Sequence, residues 1–382
     1  MVRAGTASLP EHTSQVPVPV LKITIFFWIC AKFISFQAWV AEGRLFPIIP
    51  AFDALETVQP AVHQTLFWIS VAAMGMLLFF PRIKALSILL IIAELASCLL
   101  DVARWQPWEF QYLFITFIFS YSLYKPKVFY NAMAFMLATI YIFSGVHKLN
   151  GGFLYTIWEN MMLRSFGGLS SKQIASLQLH YIGLVLPVIE IICGLTLLFM
   201  RNKKWPAFAL IAMHLFNLVF LGPYGLNYNM IVWPWNVAMI AYLYLLFIHN
   251  RQQFLFSFLF AGWNRLVLLF FGILPMLSFW GYWDSHFSSN LYSGKTKNLA
   301  ICVEEEAVPQ LRYYLSKDTH HICTNTSMLK VQKWAFEGIG LPPYPEEWYY
   351  GRFVKQWKKE HPGVEAKFFI YQYPFKENIE IR

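Results

Sequence analysis

An all-α polytopic membrane bundle of about nine transmembrane helices, with a small α+β extramembrane domain at its carboxyl end, is the fold class predicted here. Three observations predict it. The 382 residues are 57% apolar and only 13% charged, and the mean hydropathy is +0.46, values foreign to a soluble chain. Several windows near 20 residues are apolar enough to span a bilayer core of about 30 Å. From about residue 284 the character changes to the mixed charge of an ordinary soluble module.

The spans fall at about 20–41, 65–80, 85–104, 109–124, 129–148, 178–200, 205–222, 229–248 and 264–283. The turns after the second, fourth, sixth and eighth read PRIK, YKPK, RNKK and HNRQQ, all net positive. Basic loops prefer the cytoplasm, so these four predict a cytoplasmic amino-terminal tail, residues 1–19, and a carboxyl tail on the other side. They also account for the net charge of +9 without nucleic acid as a partner. No cleavable signal is expected, because about twenty mixed residues precede the first apolar run and Lys32 interrupts it.

Between these spans the extracytoplasmic side collects unusual residues. Loop 42–64 carries Glu42, Arg44, Asp53 and Glu56 among prolines, and Asp101, Arg104, Trp105 and Trp108 come at and just past the end of the third span. The amphipathic FLYTIWENMMLRSF within 151–177 suits the interface or a re-entrant turn. Pro234, at the start of the eighth span, is expected to kink it. Four ionisable groups lie deep: Lys32, Glu94, Glu190 and His214. Each costs a few kcal/mol if unpaired in hydrocarbon, so each must face the bundle interior. Lys32 with Glu94 reads as a structural ion pair.

The membrane domain is placed at 20–283 and the appended domain at 284–382. LAICVE and AKFFIYQY alternate as strands do. PEEWYYGRFVKQWKKE reads as a helix with proline and acids first and bases last. Of the cysteines at 30, 98, 193, 302 and 323, only the last two lie in the tail. They can pair if that tail is outside the cytosol. Asn325-Thr326-Ser327 fits a glycosylation acceptor, and His320-His321 is a surface pair. No phosphate-cradling glycine loop, H-E-x-x-H, paired-cysteine ligand set or nucleophile elbow is present in the sequence, and no metal is expected.

The chemistry-bearing stretch is YIFSGVHKLN at the end of the fifth span, where Gly145 leaves room beside Lys148 for a flat ligand or a second helix. Asp101, Arg104, His147 and Lys148 are expected to form one cluster at the bundle mouth. Glu190 and His214 lie below it, and Trp105, Trp108, Trp233 and Trp235 line it. An apolar, aromatic site disfavours the charged form of an amine and makes its neutral form accessible. Such an amine can take a proton from a weakly acidic hydroxyl such as that of a quinol. The bland alternative is a satisfied polar network that fixes the helices.

YIFSGVHKLNGGF resembles the small-Gly-x-[basic]-Lys-Leu-[Asp/Asn] helix end of the vitamin K-dependent γ-glutamyl carboxylase family, whose membrane part is the horizontally transferred transmembrane (HTTM) domain. Lys32-Phe33, AAMGMLLFFPRIK, Leu100-Asp101, Glu190 with Gly194, and His214 with Asn217 are similar to further family patterns in the same order, over about residues 20–250. A remoter similarity is to DoxX-like membrane proteins. The resemblance implies a quinol-linked oxidation or carboxylation enzyme with Lys148 as base and His147 and Asp101 as its electrostatic setting. Arg104 would anchor a carboxylate or oxyanion, while Glu190, His214, Asn217 and the four tryptophans would bind the reduced, vitamin K-like quinone. A secreted or membrane protein would be its substrate. The rival expectation is a non-catalytic membrane component that binds a lipid, a quinone or a partner protein.

Overall fold

The computed structural model describes residues 17–250, 252–316, 322–323, 326–372 and 378–381, the side chains of 378 and 379 excepted. The first sixteen residues, His320-His321 and Asn325 lie outside the described residues. Among those described, six helices are long and apolar enough to cross a membrane. They are α1 (Pro17–Ile34), α2 (Pro60–Phe79), α5 (Pro126–Lys148), α7 (Tyr181–Phe199), α8 (Lys204–Leu221) and α9 (Val232–His249). Prolines in the first turn start α2, α5 and the shorter helix α4 (Pro107–Ser122), where their missing N–H is no loss.

Three further apolar helices occupy expected spans but fall short in length. These are α3 (Lys84–Leu100, 17 residues), α4 (Pro107–Ser122, 16 residues) and α10 (Asn264–Trp280). Seventeen α-helical residues rise only about 25 Å, less than a bilayer core of about 30 Å. The α3 helix stops early because Asp101 leaves helical geometry and caps a short 3₁₀ turn, accepting from the Ala103 N–H at 3.2 Å. By length and composition, six of the described helices can cross a membrane, and three of the nine expected spans are shorter than that. Pro234 also departs from expectation: α9 begins at Val232, so the proline falls in its first turn and kinks nothing.

The axis of the bundle is α5. Of its membrane-length stretch 83% is buried, against 33–50% in the other five long helices. Those five turn large apolar side chains such as Phe26, Trp68, Ile192 and Phe208 outward. Between α5 and α7 runs α6 (Phe153–Phe166), a wide π-helical segment.

The carboxyl-terminal part is a five-stranded antiparallel sheet of order β2-β3-β1-β4-β5 with two helices. Its strands are β1 (Asn298–Val303), β2 (Leu315–Ser316), β3 (Ser327–Lys330), β4 (Ala366–Tyr371) and β5 (Asn378–Ile381), and its helices α11 (Val331–Ile339) and α12 (Glu347–Glu360). Ala300 of β1 stands opposite Lys330 of β3 and Phe369 of β4. Alternation assigns the two faces of β1: Leu299, Ile301 and Val303 join the main core, while Ala300 and Cys302 face a smaller cluster. In that cluster Cys302 and Cys323 form a disulfide.

This module docks on the loop between α1 and α2. Phe46 sits 5.1 Å from the Trp334 ring and 5.4 Å from that of Phe353. Around it, Arg352 and Lys355 pair with Asp53 at 2.8 and 3.1 Å, and Lys359 pairs with Glu56. The Gln106 amide donates to the Pro342 carbonyl at 3.1 Å.

His286 closes the seam: its Nδ1 donates to the Trp105 carbonyl at 2.9 Å, and its ring packs edge-on against Tyr344. Burial pulls this imidazole down to about 4, against the opposing pull of the Trp105 carbonyl. The unfolded chain therefore binds the proton first as pH falls. The contribution of His286 to stability is complete above an ordinary imidazole value of about 6.5 and is lost toward about 4, reaching about 2 kcal/mol at pH 5. His286→Gln should show a smaller fall in melting temperature between neutral and acidic buffer than the parent chain.

Candidate functional site

Tyr141, Ser144 and Lys148 are spaced three and four residues apart, so they share one face at the end of α5. Two glycines decide what meets that face. A Cβ on Gly145 would lie 2.6 Å from the Pro187 carbonyl oxygen and 2.7 Å from Ile191, and one on Gly194 2.8 Å from the Ala138 carbonyl oxygen. The α5 and α7 backbones can approach this closely only because both side chains are absent. The room beside Gly145 is thus taken by a helix, and that helix brings Glu190 to Lys148.

The Lys148 amine donates to Glu190 Oε1 at 2.6 Å, to Oε2 at 2.8 Å and to the Ser144 hydroxyl at 2.9 Å. An ammonium has three donors, and all three are used. One turn deeper, His214 joins two partners. Its Nδ1 faces the Asn236 Oδ1 at 2.7 Å, and its Nε2 lies 2.7 Å from the Tyr141 hydroxyl. The Asn236 amide nitrogen donates to the Val232 carbonyl at 2.7 Å, which turns its oxygen toward the imidazole. His214 Nδ1 therefore carries the hydrogen, and Nε2 accepts from Tyr141 in the neutral ring.

Both groups line one cavity of about 140 Å³, walled by Ile140, Phe153, Met213, Trp235, Met239 and Tyr292. Asn217 lines it too. A second cleft of about 450 Å³ lies between the bundle and the appended module. The two share Ile157, Val232, Trp235, Leu291 and Tyr292 as a common wall.

Of the residues expected at one mouth, the cavity gathers Lys148, Glu190, His214, Asn217 and Trp235. The others make their contacts elsewhere. His147 stands next to Lys148 in sequence but about 100° around the helix. Its ring stacks on Phe279 at 4.5 Å, and its Nε2 is 3.2 Å from the Ser278 hydroxyl. Asp101 pairs with Arg44 at 2.8 Å. Arg104 spends its guanidinium on the carbonyls of Ala38, Trp39 and Ser97, the Ser97 hydroxyl and His63 Nδ1. Trp105 packs on Phe287, Trp108 on Trp39 and Tyr112, and Trp233 donates to the Leu221 carbonyl. Trp108 also lines the larger cleft.

Sequence reasoning missed Tyr141, Ser144 and Asn236. The first two were signalled by their helical spacing from Lys148, and Asn236 only by closing the WPWN run. Among the described residues, no group of three or more histidine, cysteine or acidic side chains is placed to hold a metal ion. No family model, no curated protein and no solved structure matches the chain.

Proposed function

We propose that the chain is a nine-span membrane enzyme of the HTTM type, with α3, α4 and α10 as shortened crossings. Its amino terminus would be cytoplasmic and its sheet module extracytoplasmic. The four basic turns support that orientation, and so does the Cys302–Cys323 disulfide, a bond that persists in oxidising compartments. The reaction is proton removal from the hydroxyl of a quinol-like lipid, the first step of a quinol-linked oxidation or carboxylation.

One observation carries this reading: a lysine–carboxylate pair opens onto an apolar cavity in the interior of the bundle. When a ring fills the cavity and excludes water, charge separation loses its solvent support. The Lys148 proton can then pass to Glu190, leaving a neutral amine beside a neutral acid. That amine takes the hydroxyl proton, and the ammonium it becomes balances the new oxyanion. Ser144 orients the amine, while Tyr141, His214 and Asn236 hold the far wall. At about 140 Å³ the cavity suits a single benzene-sized ring, for which ~150 Å³ suffices. A secreted or membrane protein as substrate would reach the ring from the larger cleft.

Lys148→Ala should lower quinol-dependent turnover of the purified protein by about 10²–10⁴-fold, the usual contribution of a general base. Glu190→Gln should lower it comparably. Turnover unchanged in a folded Lys148→Ala protein would refute the enzyme. A folded mutant that loses only partner capture would favour the non-catalytic rival.

A further inference from the structure

At the end of the bundle opposite Lys148, the α2–α3 turn and the α4–α5 turn enclose a separate cavity of about 170 Å³. Arg82, Lys84 and Lys125 line it, and among the described residues none of the three makes an ion pair. Segments 79–87 and 119–128 contain no acid at all. The cavity also holds Ser87, whose hydroxyl is fully buried and has no hydrogen-bond partner among the described residues. The neighbouring polar groups are already committed: the Ser120 hydroxyl donates to the Phe117 carbonyl and Tyr121 to Asn264. A buried hydroxyl left unmade is costly unless something occupies the site. Three exposed cations without an ion-pair partner among the described residues, set around one orphaned buried hydroxyl, point to an anion.

We propose that this cavity binds the phosphate of an anionic phospholipid headgroup. Its volume equals roughly six waters of liquid, enough for a phosphate with its oxygens. The lipid rather than free phosphate is favoured by what surrounds it. Phe79 and Tyr124 are each 78% exposed and Phe80 58%, forming an apolar skirt at the helix ends where acyl chains would run. Basic pockets between helices at the positive face of a membrane protein hold lipid phosphates in this manner. The Ser87 hydroxyl donates to one phosphate oxygen, and the three side chains neutralise the rest. This site shares no residue with the Lys148 cavity and does not depend on the reading of that cavity.

The test uses the full-length protein in detergent, with retained lipid counted by native mass spectrometry. Phosphatidylglycerol should be retained over phosphatidylcholine. Each cation is worth about fivefold, so R82Q/K84Q/K125Q should weaken retention about a hundredfold. Ser87→Ala should weaken it about fivefold to tenfold with the melting temperature unchanged. Arg201→Gln, in another basic turn, should leave it as it was. Equal retention of the two lipids, or a triple variant that binds like the parent, overturns the site. Displacement of the lipid by inorganic phosphate at equal concentration overturns the lipid as its source.

Discussion

Lys32→Met should destabilise the bundle by about 3–5 kcal/mol, because it leaves a buried charge without its partner. Lys32 ion-pairs with Glu94, both without solvent exposure, and its amine stands 3.0 Å over the Trp39 ring. A second buried acid completes the group: Glu109 accepts from the Trp28 indole at 2.7 Å and lies within hydrogen-bonding reach of Glu94. Of the two acids, only Glu94 contacts the ammonium, so removing the cation strands that carboxylate, with Glu109 close by, in a dry interior. Removing Glu94 is milder, because the amine keeps the face of the Trp39 ring. The expected order of damage is Lys32→Met above Glu94→Leu, with Lys32→Met/Glu94→Leu recovering part of the loss. Unfolding in mixed micelles as denaturing detergent is titrated measures this order. A Lys32→Met protein as stable as its parent would mean that the pair is not ionised.

Arg104→Met should cost about 3–5 kcal/mol, and Arg104→Lys should rescue little of it. The guanidinium is fully buried and satisfies three carbonyls, a hydroxyl and an imidazole. Each acceptor left unmade costs about 1–3 kcal/mol, partly relieved by relaxation. An ammonium offers three donors from one point and cannot reproduce a planar fork of five. Its acceptors Ala38 and Trp39 lie just before the loop that presents Phe46, and Gln106 follows in the next turn. Arg104→Met should therefore also loosen the sheet module, seen as faster proteolysis between α10 and β1. The Lys148 cavity shares none of these contacts, so lipid or quinol binding there should persist in the fraction that stays folded.

The contrast between these sites shows what the sequence could reveal. Apolar runs fix where helices lie, because twenty greasy residues have few alternatives. The strands around Ile301 and Phe369 and the helix carrying Trp357 were equally legible from alternation and terminal charges. The pairing of Lys32 with Glu94 followed from cost alone, since a deep cation demands an acid. Partners set by helix rotation were not legible. Asp101 and Arg104 look like site residues in a list of polar groups near a span end, yet Arg44 from the α1–α2 loop and His63 from the start of α2 meet them there. Gly145 suggested an opening, and only the approach of Gly194 shows that a helix fills it. Glu109 escaped notice because it follows a proline–tryptophan pair at a helix start, where an acid reads as a dipole partner rather than a buried one.

The seam between module and bundle mixes two kinds of attachment, and they answer to different conditions. Lys355 and Lys359 hold Asp53 and Glu56 in water, where about 10 Å of Debye screening at 0.1 M salt weakens them and 1 M nearly erases them. The Phe46 ring wedged between Trp334 and Phe353 ignores ionic strength altogether. Brine should thus leave the module held by its uncharged contacts alone, the Phe46 peg and the Gln106 and His286 hydrogen bonds, looser at the Asp53 and Glu56 edge without coming off.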